Sequence, residues 1–123
     1  MKIPVRTNVN RFFYQLVDLM SSFAPIKGLR YREKQVLSEI LIQNYKYKSL
    51  NERERNILIF SRDNRQEICN NLSISEDNLN VQLSELRHKG VIGKDNKLPK
   101  FLGSILPNDK FEFTIYFNLI KDE

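Results

Sequence analysis

The chain has 123 residues, 41% of them hydrophobic, and a formal net charge of +5 from 20 Lys and Arg against 15 Asp and Glu. That length supports one modest core, and no apolar run approaches the roughly 20 residues of a membrane span or forms the apolar stretch of a secretory leader, so a cytoplasmic protein with no membrane partner is expected. A single cysteine, Cys69, and a single histidine, His88, leave no internal disulfide and no zinc constellation, so no metal and no cofactor are expected.

Residues 1–10, MKIPVRTNVN, contain Pro4 and no helical period, which predicts an extended arm ahead of a single domain over 11–123. Phe12, Phe13, Leu16, Val17, Met20 and Phe23 then recur at helical spacing, from near Asn10 to a stop at Pro25 and Gly28. They predict an additional N-terminal helix with one apolar face. Between Leu29 and Asn44, Val36, Leu37, Ile40 and Leu41 form the stripe of a second helix. The following YKYKSLNERERNILIFS predicts a short helix capped by Asn51, with Ile57, Leu58 and Phe60 inward. Tyr31, Tyr45 and Tyr47 stand among Arg30, Arg32, Lys46 and Lys48, a mixture able to stack bases and hold phosphates of single strands. The same tyrosines equally suit packing over a core with the hydroxyl at water.

The stretch RDNRQEICNNLSISEDNLNVQLSELRHKGVI, Arg62 to Ile92, is the most informative part of the chain. Ile68 and Leu72 share one helical face, and Leu79, Leu83 and Leu86 share another, so two helices are predicted with a tight turn at residues 71–75 between them. Ser75 suits the N-cap of the second helix, and Glu76 and Asp77 suit its positive end. Arg87, His88 and Lys89 stand at the opposite end, and Gly90 supplies the left-handed residue that stops the helix. Cys69, beside Ile68, reads as a small core residue. Val91 and Ile92 are expected to begin a strand, residues 93–100 to form a basic turn, and the alternation of Phe111, Phe113, Ile115 and Phe117 to form a returning strand.

Taken in that order, residues 62–117 resemble winged helix-turn-helix domains. Turn, recognition helix and first wing strand fall on LSISEDNLNVQLSELRHKGVI, with the helix-turn-helix at about 62–89 and the wing at about 91–118. LRYREKQVLSEILIQN is similar to the first helix of the response-regulator and sigma-factor type, although Arg30 stands at the usual Ser or Thr cap and the connection that follows is long. The resemblance implies a mainly α fold with a small antiparallel β-sheet, an α+β winged helix-turn-helix with an extra N-terminal helix. It also implies a non-catalytic protein that binds duplex DNA in transcriptional or replication control.

On the proposed recognition helix, Asn78, Asn80 and Gln82 are candidate base readers, because amide side chains pair bidentately with adenine in the major groove. Arg87, Lys89, Lys94, Lys97 and Lys100 are candidate phosphate contacts. Further positive charge lies in Lys27, Arg30, Arg32 and Lys34 and in Arg53, Arg55, Arg62 and Arg65. Glu76, Asp77 and Glu85 leave the helix itself net acidic, which repels phosphate at the end that normally lies nearest the bases. That acidity favours a rival: a virion structural or adaptor protein that uses the fold for docking to other virion proteins or to itself as an oligomer. Abundant Asn, Ile and Lys with one alanine, a composition many phages share, points the same way. Such a protein would reside in host cytoplasm or virion. Catalysis has little to stand on, since His88 has no paired nucleophile and the four glycines form no phosphate loop.

Overall fold

A computed structural model describes residues 3–23, 26–116 and 118–121. Pro25 and Phe117, used above as a helix stop and a strand position, and the first two residues of the arm lie outside the described residues. Six helices follow one another: α1 (Val9–Met20), α2 (Tyr31–Lys46), α3 (Glu52–Ile59), α4 (Arg62–Leu72), α5 (Glu76–His88) and the short α6 (Lys100–Gly103). None of them is long and apolar enough to cross a membrane.

The second helix is the centre of the molecule. Val36, Leu37, Ile40 and Leu41 are fully buried, and α1, α3, α4, α5 and α6 all pack against it. Its first turn has no side-chain acceptor from Arg30, whose guanidinium can only donate. The Glu33 carboxylate takes over, accepting the Arg30 backbone N–H at 2.7 Å. Helix α1 is capped two residues before the expected Asn10, where Asn8 Oδ1 accepts the Arg11 amide at 2.8 Å, and it lays Phe13, Leu16 and Val17 into the core. Tyr14 donates to Glu39 Oε2 at 3.2 Å and Asn71 Nδ2 to Glu39 Oε1 at 2.9 Å, so one buried carboxylate of α2 joins α1 to α4. Burial and then the neighbouring Glu39 charge push the Tyr14 hydroxyl pKa well above its ordinary value.

Asn51 caps α3 as its sequence predicts, its Oδ1 accepting the Glu54 amide at 2.9 Å. The inward set of that helix is different. Ile57 is 62% exposed, and Asn56 and Ile59 are the buried positions. Phe60, just past the end of α3, is half-buried against the core as expected, so the correction falls on Ile57, whose place inside is taken by Ile59.

The α+β expectation fails: among the described residues there is no strand and no sheet, so the wing of the predicted winged helix-turn-helix is absent. Three local causes are visible. Val91 and Ile92 do not begin a strand because both of their amides turn back to the Leu86 carbonyl, at 2.9 and 3.3 Å, and complete the end of α5 around Gly90 at φ 76°. Residues 93–97 fold on themselves, with the Gly93 N–H donating to Lys97 O at 2.8 Å and the Asn96 N–H to Gly93 O at 3.0 Å. A strand needs a hydrogen-bonded neighbour, and the amides of Val91, Ile92, Gly93, Asn96 and Leu98 turn instead to Leu86, Lys97, Gly93 and Asn56, so the described residues after Phe111 find no ladder there. Phe111 and Phe113 instead rest on the Phe12 ring of α1, with centroids 5.3 and 5.9 Å away.

Candidate nucleic-acid interface

Helix α4, the turn and α5 stand at the residues where the sequence places them. The turn works through two backbone features. Ser73 adopts the left-handed conformation at φ 54°, and the Ile74 N–H returns to the Cys69 carbonyl at 3.1 Å. Ser75 Oγ then accepts the Asn78 amide at 3.0 Å and starts α5 in a new direction. Ile68 and Cys69 of α4 face Leu79, Leu83 and Leu86 of α5 across this corner, all buried. Burial, followed by the Glu76 charge, pushes the Cys69 thiol pKa up, which suits an inert core position.

With its leucines inside, α5 presents Asp77, Asn80, Val81, Ser84 and His88 to solvent, and Val81 is 57% exposed. The three candidate base readers differ in their freedom. Asn80 is exposed and its side chain makes no hydrogen bond among the described residues, whereas Gln82 Nε2 donates to Asn78 Oδ1 at 3.0 Å, so those two amides hold each other.

The candidate phosphate contacts also divide. Arg87 donates to Asn96 Oδ1 at 2.8 Å, which fastens loop 93–97 beside the last turn of α5 and leaves Lys94 exposed there. Lys97 lies 3.2 Å from Asp95 on the same loop, and both groups are well exposed. Lys100 opens α6, which leans on α2, so it is not part of the loop held by Arg87. Lys89 turns the other way. Its ammonium lies 2.6 and 2.9 Å from the two oxygens of Glu33, a residue only 1% exposed, and 3.5 Å from the Gly28 carbonyl. Burial raises the Glu33 pKa, but the hydrogen bond from Lys89, the Arg30 amide and the charges of Lys89 and Arg30 outweigh it and hold the carboxyl below its ordinary value.

That ion pair also shapes the surface. It draws the residue 27–30 segment against the C-terminal end of α5, so Lys27 and Arg30, both exposed, stand on one flank of the helix while Lys94 stands on the other. The sequence shows these cations as scattered; the Lys89–Glu33 and Arg87–Asn96 contacts assemble them. The N-terminal end of the same helix is acidic, with Glu76 and Asp77 exposed.

One feature was not legible at all. Asn51, Arg53, Asn56, Ile57 and Phe60 line a groove of about 680 Å³ facing Asp95, Asn96 and Lys97. Its apolar lining comes from Ile57 and Phe60, and Ile57 is exposed where the sequence predicts it inward. Among the described residues no cluster of His, Cys, Asp and Glu is placed to hold a metal ion. The chain matches no protein-family model, and it has no match among curated proteins or solved structures.

Proposed function

We propose that this chain binds duplex DNA through α5, without a wing, in transcriptional or replication control. The observation that carries the reading is the arrangement of cations at the C-terminal end of α5, with Lys27 and Arg30 held to one side by the Lys89–Glu33 pair and Lys94 to the other by the Arg87–Asn96 bond. A helix seated in the major groove runs between two phosphate rows, and cations on both flanks suit that placement. Asn80 is the free amide best placed to read a base edge, with Val81 as an apolar contact for a thymine methyl. The acidic first turn, Glu76 and Asp77, is repelled by phosphate, so the central and C-terminal parts of α5 approach the duplex most closely.

Fluorescence anisotropy with a labelled duplex, repeated across salt concentrations, tests the reading. Replacing Lys27, Arg30 and Lys94 together by Ala should weaken binding and flatten the log–log salt slope by about 0.9 for each phosphate left without its cation. Adding Lys97→Ala and Lys100→Ala should change the slope less, because Lys97 is paired and Lys100 lies on α6. A wild-type chain with no measurable affinity for any duplex at low salt overturns the proposal. So does a triple variant with an unchanged slope.

A second reading, docking to protein as in a virion adaptor, is favoured by the exposed Val81 beside the acidic turn, a combination suited to a basic protein surface. Under it, the outer face of α5 is protected from carboxyl-directed labelling at Asp77 in the native assembly without DNA. Under the DNA reading, protection of that face requires duplex.

A further inference from the structure

The groove between α3 and loop 93–97 has polar walls whose hydrogen bonding is incomplete in one direction. Asn56 is only 8% exposed, and its Oδ1 accepts the Leu98 backbone N–H at 3.1 Å. That N–H needs an acceptor, so Nδ2 is the end of the amide left over, and among the described residues it donates to nothing. Asn96 repeats the pattern from the opposite wall. Its Oδ1 is taken by Arg87 at 2.8 Å, and its Nδ2 has no acceptor among the described residues. Water can serve these two donors but not the Ile57 and Phe60 side chains beside them. A molecule with an apolar body and an acceptor end serves both. The rim supplies charge as well. Lys97 and Asp95 lie 3.2 Å apart and hold each other, whereas Glu52 and Arg53, consecutive at the start of α3 and both exposed, have no ion-pair partner among the described residues. Arg53, Ile57 and Phe60 follow one stripe of the helix and its end, so the free guanidinium stands in line with the apolar lining.

We propose that this groove binds a free amino acid with a large apolar side chain, an aromatic one fitting best. The side chain covers Ile57 and packs on the Phe60 ring, the α-carboxylate accepts from Arg53 and from the Asn56 and Asn96 amides, and the α-ammonium faces Glu52. Charge selects this occupant. One free carboxylate beside one free guanidinium matches a zwitterion, whereas the interior of a peptide carries neither charge and a simple carboxylate leaves Glu52 opposed to it. The volume of about 680 Å³ is that of a small-molecule site and admits an indole or phenyl ring.

Titration of L-tryptophan into the full chain, followed by nitrogen–proton correlation spectra that resolve side-chain amides, tests the site. The Asn56 and Asn96 side-chain signals should shift saturably, with a midpoint in the millimolar range or below. Ile57→Asp, at a position already 62% exposed, should keep the helical circular dichroism and lose the binding. Arg53→Gln and Glu52→Gln should each weaken it about tenfold, the effect of removing one charge-assisted hydrogen bond. N-Acetyl-L-tryptophanamide, which keeps the ring and loses both charges, should bind more weakly by about tenfold or more. Equal binding of that uncharged form overturns the amino-acid assignment in favour of a peptide segment, and an unchanged affinity in either charge variant overturns the zwitterion. No saturable shift at Asn56 and Asn96, or a shift that survives Ile57→Asp, overturns the site itself. None of these readouts contains DNA, so their outcome is separate from that of the duplex titration.

Discussion

The corner of α4 and α5 and the segment from Asn108 to Lys121 both carry regularly spaced apolar residues, and they end in opposite places. Leu79, Leu83 and Leu86 are at most 3% exposed, whereas Leu119 and Ile120 are about as exposed as side chains become, at 90% and 87%. The difference lies in supply of surface. α5 meets α2 and α4, and each helix satisfies its own backbone, so its apolar stripe needs only a neighbouring stripe to bury it. The terminal segment must find hydrogen bonds as well as apolar contact, and among the described residues the Phe12 and Tyr45 rings meet Phe111 near its root.

The sharpest way to break this contrast is one substitution made in both regions. Leu79→Ala opens a void at a fully buried site and should cost about 3 kcal/mol of unfolding free energy in denaturant titration. Leu119→Ala should stay within about 0.5 kcal/mol in the same assay. Equal losses would mean that the terminal segment belongs to the folded core.

What a sequence makes legible follows the same division. The stripes of α1, α2 and α5, the caps at Asn51 and Ser75 and the stop at Gly90 were readable because each depends on residues within a few positions of one another. The sheet was misread because alternation at Phe111, Phe113 and Ile115 reports a local period, whereas a strand is a relation between two segments. Among the site residues, the exposure of Asn80 follows from the helical period. The inward turn of Lys89 does not, since its partner Glu33 lies 56 residues earlier and the sequence marks neither as paired.

That pair gives the next prediction. Lys89→Ala leaves the Glu33 carboxylate buried beside a helix start without its counter-ion, and should cost on the order of 2–3 kcal/mol, less than a fully enclosed pair because Lys89 still touches water. The pH dependence has a definite sign. Glu33 ionises more readily folded than unfolded, so its stabilisation is complete above its unfolded value of about 4.3 and is lost as pH falls through the lower folded value. Stability of the wild type should therefore decline below that point, and the decline should be shallower in Lys89→Ala. An unchanged acid limb would assign the acid sensitivity to other carboxylates.

Two caps of similar chemistry sharpen the comparison further. Ser75 Oγ and Asn108 Oδ1 each accept a backbone amide, at 3.0 Å from Asn78 and 2.9 Å from Glu112. Ser75→Ala should cost about 1 kcal/mol because the amide it serves begins a helix that the core requires. Asn108→Ala should have no measurable effect on global unfolding and should instead raise amide exchange at Lys110 and Glu112. If the two cost the same, the terminal turn unfolds together with the helices.

The smallest expected effect is a gain, and it falls at the corner itself. Ser73 holds φ 54° between α4 and α5, a conformation that strains a residue with a Cβ by roughly 1–2 kcal/mol and leaves glycine unstrained. Ser73→Gly removes that strain but adds about 0.5–1 kcal/mol of backbone freedom to the unfolded chain, so the net should be a stabilisation of about 0.5 kcal/mol. Ser73→Ala retains the strain and should not stabilise. The sign separates the two variants even where the magnitudes are close, because both remove the same exposed hydroxyl and only one relaxes the backbone. A stabilising Ala together with a destabilising Gly would mean that the left-handed turn does not persist in solution, and the direction in which α5 leaves α4, on which its flanking cations depend, would have to be set elsewhere.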